Sequence, residues 1–150
     1  MTVYFATDHA GFELKSRLLD YVRDELGHVV EDCGATTYDE NDDYPVFIIA
    51  AAKKIAEDPK ERRAIILGGS GQGEAMAANR IRGVRAAVYY GGNTKVIALS
   101  REHNDANILA LGARFVELAR AKEVVKEWLS VPFTHEERHE RRIAQIDALV

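Results

Sequence analysis

The stretch LGGSGQGEAMAANR, Leu67 to Arg80, decides how the rest of the chain is read. It continues the apolar run Ala64-Ile65-Ile66-Leu67 and packs four glycines, at 68, 69, 71 and 73, into six positions. An alanine-rich segment of helical character then runs through Asn79. Strand, glycine turn and helix in that order form the opening half of a βαβ unit. Such a loop brings backbone N–H groups close to an anion at a helix start. It is not a nucleotide motif. No Lys-Ser/Thr pair follows the last glycine, and the G-x-G-x-x-G register fails at Glu74 and Met76. An anion cradle and a plain tight turn both fit.

The alternation repeats on either side. Val3 to Ala6 reads as a strand, and Leu14, Leu18, Val22 and Leu26 as one helix face stopped by Gly27. A shorter strand begins at Val29-Val30 and ends near Cys33-Gly34. The acidic run Asp39 to Asp43 reads as a loop closed by Tyr44-Pro45, and Val46 to Ala56 as a helix. Arg85 to Tyr89 is a fourth strand, Thr94 to Arg101 a helix, Ile108 to Ala110 a fifth strand and Glu117 to Leu129 a helix. This predicts a single α/β domain over residues 1–150, a Rossmann-like doubly wound parallel sheet of about five strands. Ligands of such sheets bind at the carboxyl ends of the strands. Four polar clusters are expected there: Asp8-His9, the glycine loop, Gly91-Gly92-Asn93 and Arg114.

The C-terminus adds a further helix, expected over about 135–148 and packing on the domain or on a partner subunit. Thr134-His135-Glu136-Glu137 fits a capping box. Arg138 and Arg142 fall one turn apart on one face, and Ile143, Ile146 and Val150 form a partly apolar stripe.

A net charge of −4 argues against a general nucleic-acid binder. No apolar stretch reaches the ~20 residues that span a bilayer. The start MTVYFATDHAG has neither the basic nor the apolar region of a signal peptide, and the lone Cys33 cannot form an intrachain disulfide. Cytoplasm is the expected compartment. The five histidines show no zinc spacing. His135 and His139 are four apart, but arginines 138, 141 and 142 crowd their face, which suits phosphate rather than a cation. No metal and no cofactor are expected. A solvated helix with glutamates pairing arginines is the other reading of that face. Glu74 has two readings as well. It stabilises a helix start through the macrodipole, or it is a base whose charge beside an anion site serves chemistry. His103-Asn104-Asp105-Ala106-Asn107 is dense in hydrogen-bonding groups, more than turn formation needs from its histidine.

Several segments, in this order, resemble the ribose-5-phosphate isomerase B family, which includes the galactose-6-phosphate isomerase subunits. They are Asp8-His9-Ala10-Gly11-Phe12, Asp43-Tyr44-Pro45, Gly69-Ser70-Gly71-Gln72-Gly73, Ala77-Ala78-Asn79-Arg80, Ser100 to Asn107, and Arg138-His139 with Arg142. The resemblance covers nearly the whole chain. It implies a homodimer, sometimes paired into a homotetramer, with metal-free sites between subunits. It implies aldose–ketose isomerisation of a phosphorylated sugar through an enediolate. His103 then matches the residue assisting ring opening, with Asp8 near the ring oxygen. The N–H groups around Ser70, Gly71 and Gly73, with Gly69 in the same loop and Asn104 of the partner, would hold the oxyanion. Arg138 and Arg142 match the phosphate-binding arginines, with His9 close by; Arg114 matches a phosphate or interface arginine. Many relatives carry a cysteine base where this chain has Gly68. A second branch uses a glutamate one residue past the last motif glycine, the place of Glu74, which makes Glu74 the expected base.

Overall fold

Period-two alternation along the strands builds a core on each face of one sheet. The computed structural model describes residues 1–150. Its strands are β1 (Thr2–Thr7), β2 (Val29–Asp32), β3 (Arg63–Gly68), β4 (Ala86–Tyr89) and β5 (Ile108–Gly112). They pair in parallel in the order β2-β1-β3-β5-β4. Val3, Phe5, Ile65, Leu67, Leu109 and Leu111 point to one face; Tyr4, Ala6, Ala64, Ile66, Ile108 and Ala110 point to the other.

The helices are α1 (Phe12–Asp20), α2 (Tyr44–Glu57), α3 (Gln72–Ala78), α4 (Lys95–Glu102), α5 (Leu118–Ser130) and α6 (Glu137–Asp147). A wider π-helical turn, Tyr21–Glu25, extends α1 to Leu26 and Gly27, whose φ of +72° ends it. Leu18 and Val22 of this segment, Ile97 of α4 and Val124, Val125 and Trp128 of α5 cover the first face. Ile48, Ala51, Ala52 and Ile55 of α2 and Ala75 and Ala78 of α3 cover the second. Each large side chain fully buried there is worth about 1.5–3 kcal/mol. The fold is the expected doubly wound one, with the chain reversing direction between β1 and β3. No helix is long and apolar enough to cross a membrane.

Two local expectations are corrected. Tyr44-Pro45 does not close a loop; the two residues begin α2, where a proline needs no N–H partner. Thr134 does not cap α6. Its hydroxyl donates to the Glu102 carbonyl at 2.8 Å, and the helix begins after Glu136, which makes no side-chain cap. The intervening His135 sits at φ +57°, so the chain turns before the helix instead of running into it. Within the chain, the apolar stripe on α6 is largely uncovered. Ile146 is 49% exposed, and Ile143 is only half-buried.

Much of the motif density near α4 is structural. Arg101 donates to Asp105 and to the Ala106 carbonyl, both at 2.7 Å, and Arg85 donates to the other oxygen of Asp105 at 3.0 Å. Asn107 accepts from the Arg85 N–H at 2.8 Å and donates to Gly83. Asn79 exchanges two hydrogen bonds with the backbone of Ala86, fastening the end of α3 to the start of β4.

Candidate active site

A cleft of about 570 Å³ opens where the carboxyl ends of β1 and β3 diverge, at the reversal point of the winding. Asp8, His9, Gly69, Ser70, Gly73, Glu74 and Arg114 all line it. Each is placed by the turn that follows its strand. Asp8 is buried and accepts the Ala10 N–H at 3.0 Å, capping a short turn after β1. That turn presents His9, whose Nδ1 lies 2.7 Å from Asp42 Oδ1. The bond to Asp42 outweighs burial and the positive charge of Arg114, and with Asp8 it raises the His9 pKa, favouring imidazolium.

After β3, the loop returns so tightly that only small residues fit. Gly71 adopts φ +78° and lies against the backbone of Leu111 and Gly112. A side chain on Gly73 would collide with the Tyr44 hydroxyl. The Arg114 N–H donates to the Gly69 carbonyl at 3.1 Å, and its guanidinium stands over Gly69 without any carboxylate partner. Glu74, in the first turn of α3, is only 4% exposed and folds back over Gly68. Burial pushes its pKa up; a bond from its own backbone N–H opposes this, and Asp8 adds to it. A carboxyl poised in this way can accept and return a proton.

The Gly91-Gly92-Asn93 cluster does not join the cleft. The Gly92 carbonyl accepts from Tyr89, and Asn93 accepts the Lys95 N–H at 2.9 Å, so this segment turns the chain into α4. Four expected site residues also stand apart: His103, Asn104, Arg138 and Arg142. α4 leaves the carboxyl edge of the sheet and returns to its amino edge, so His103 and Asn104 lie at the opposite end from Glu74. The five residues of β5 alone span about 16 Å. There His103 stacks on His139, while Arg138 and Arg142 project from exposed faces of α6. Arg138 pairs with Glu136 at 2.9 Å; Arg142 makes no ion pair. The expected site residues thus fall into two separate groups on the chain.

Two residues escape the sequence reading of the site: Tyr44, which lines the cleft, and Asp42, which holds His9. Asp42 belongs to an acidic run that reads as a plain loop, and Tyr44 to the pair that closes it. Asp42 lies in contact with His9, and its second oxygen is buried without a partner. Cys33 stays outside the cleft. Half burial and nearby Glu31 and Asp32 push its thiol up to about 11, which leaves it unreactive near neutrality.

The sequence profile of the Ribose/Galactose Isomerase family matches residues 3–146. The chain belongs to this family. Within it, ribose-5-phosphate isomerase B of Mycobacterium tuberculosis is 44% identical over 143 residues, covering 95% of this chain and 86% of that protein. The crystal structure of ribose-5-phosphate isomerase B from Mycoplasma genitalium with bound ribulose-5-phosphate superposes with a TM-score of 0.92 at 34% identity, over 99% of this chain and 95% of that one. The Thermotoga maritima enzyme gives 0.89 at 39% identity, over 98% and 97% of the two chains.

Proposed function

We propose that this chain interconverts ribose 5-phosphate and ribulose 5-phosphate through an enediolate, with Glu74 as the proton-transferring base. The observation that carries this reading is the Glu74 carboxyl, buried at the lip of an open cleft with its pKa raised. The family and the ribulose-5-phosphate bound to the M. genitalium relative support the substrate.

The reaction sets three demands on the chain. The sugar ring must open, and His103 moves the ring-oxygen proton with Asp8 beside it. Glu74 then takes the C2 proton, leaving an enediolate, and returns the proton to C1. The oxyanion formed between these steps lies against the N–H groups of the Gly69–Gly73 loop and the Asn104 side chain. Fixed donors of this kind lower the barrier by several kcal/mol. The phosphate is held by Arg138 and Arg142, with protonated His9 and unpaired Arg114 facing it across the cleft.

These roles require two copies of the chain. His103, Asn104, Arg138 and Arg142 sit at the amino edge of the sheet and cannot reach the Glu74 of their own subunit. A homodimer sets one half-site against the other. The uncovered apolar groove along β4, where Val84, Ala87, Ile146 and Leu149 meet Asn104, fits such a contact. The free, half-buried thiol of Cys33 suits the reducing cytoplasm.

Incubation in heavy water with a panel of four-, five- and six-carbon phosphosugars tests the function. Deuterium at C1 or C2 with ribose 5-phosphate as the best substrate is expected. A better four- or six-carbon substrate would reassign the specificity, and no exchange with any sugar would mark a binding protein.

A further inference from the structure

α6 is mostly exposed, with Ile143 and Asp147 half-buried. His139 is 4% exposed, the single buried residue of that helix. Its ring lies face to face with that of His103, centroids 4.3 Å apart and planes 15° from parallel. No hydrogen bond accounts for an imidazole in this position. Nε2 is closed off from solvent without a partner, and the nearest carboxylate oxygen, on Glu136, is 3.9 Å away. An aliphatic side chain would fill the same space without stranding a nitrogen.

The stack is also a joint. Just before α6, the N–H and hydroxyl of Thr134 both donate to the Glu102 carbonyl, at 3.3 and 2.8 Å. Glu102 and His103 are adjacent, so α6 is fastened to the end of α4 that carries His103. Arg138 and Arg142 flank His139 on the helix. The parts that would grip the phosphate and the part that would open the ring are thereby fixed in one piece.

The geometry points to His139 as the positioning residue of His103: its flat ring is the platform that orients the His103 imidazole relative to the phosphate-binding arginines. This rests on the reading of His103 as the ring-opening group; His139 itself touches no substrate. Two stacked imidazoles disfavour carrying two protons. Burial, His103, Arg138 and Arg142 all oppose charge on His139, and Glu136 alone favours it. His139 is therefore held as a neutral ring against His103.

The test compares two substitutions that both fill the space. His139→Phe keeps a flat face, whereas His139→Leu removes it. On ribose 5-phosphate with the full-length enzyme, the leucine variant should lose roughly tenfold in kcat with KM and phosphate inhibition little changed, the pattern of an interaction felt only at the chemical step. The phenylalanine variant should retain most of kcat. The ring-proton chemical shifts of His103 should move in the leucine variant, which loses the aromatic ring stacked on them. Equal kcat in the two variants, whether normal or impaired, would overturn the proposal, since the flat face would then make no difference. Full turnover in His103→Ala would instead remove the role of His103 itself, and the proposal with it.

Discussion

The carboxyl group of Glu74 occupies the space in front of the Gly68 Cα. A Cβ at position 68 would overlap both Cδ and Oε1 of Glu74. The end of β3 can carry a side chain, or α3 can lay a carboxylate there, but one place cannot hold both. This is a physical reason for the two branches of the resemblance, one with a cysteine at this point and one with a glutamate six residues on.

Gly68→Ala should therefore push the carboxylate out of position without unfolding the sheet. A misplacement of about 1 Å costs on the order of 10²-fold in rate, and kcat should fall by about that factor. Circular dichroism would confirm the fold. Unchanged turnover would mean that the placement of Glu74 against Gly68 is irrelevant to catalysis. Cys33→Ser should leave kcat unchanged.

Glu74 should be costly to stability at neutral pH. Its folded pKa lies above the ordinary value of 4.5. A group shifted upward contributes fully below its unfolded pKa and loses that contribution as pH rises through the folded pKa. Thermal melts of Glu74→Gln should thus exceed wild type at pH 7, with the gap closing below about pH 4. The acid limb of wild-type kcat/KM should sit above 4.5 for the same reason. A variant less stable than wild type at pH 7 would contradict the buried charge.

Arg142 has no ion-pair partner, as expected of a cation kept for a ligand. Removing one charged hydrogen-bond partner costs roughly 1.5–3 kcal/mol, or about 10- to 150-fold in affinity. Arg142→Ala should weaken substrate binding and inhibition by free phosphate together. Calorimetry with inorganic phosphate reads this directly, and an unchanged affinity would leave Arg142 a solvated surface residue.

The winding of the sheet was legible because its apolar strand runs alternate with helical patterns and glycines punctuate them. The glycine loop, Asp8-His9 and Arg114 followed from the rule that sites gather at strand carboxyl ends. Gly91-Gly92-Asn93 satisfied the same rule and failed, because β4 is the edge strand and its loop starts α4 without turning inward. Asp42 was hidden because an acidic loop gives no sign of what its side chains reach across 33 positions of sequence. The Thr134 cap failed because its hydroxyl found a carbonyl on another helix, a tertiary choice no local motif reports. His139 was visible as a histidine, but only its burial against His103 sets it apart from its exposed neighbours.

The separation of His103 from Glu74 predicts complementation. Glu74→Gln and His103→Ala proteins should each be inactive alone. After subunit exchange, a mixed dimer holds one site with both wild-type residues, and some activity should return. Exchange demonstrated by mass spectrometry without any recovery would argue that each subunit carries a complete site.

The central claim is that Glu74 moves the proton, and one measurement addresses it most directly: kcat of Glu74→Gln on ribose 5-phosphate, with sugar-phosphate affinity measured on the same preparation. Glutamine keeps the shape of the side chain but has no basic carboxylate. The account predicts a fall in kcat of at least ~10²-fold, the low end for a positioned general base, with affinity retained or tightened because a charge facing the anionic substrate is gone. Near-normal turnover in this variant would contradict it.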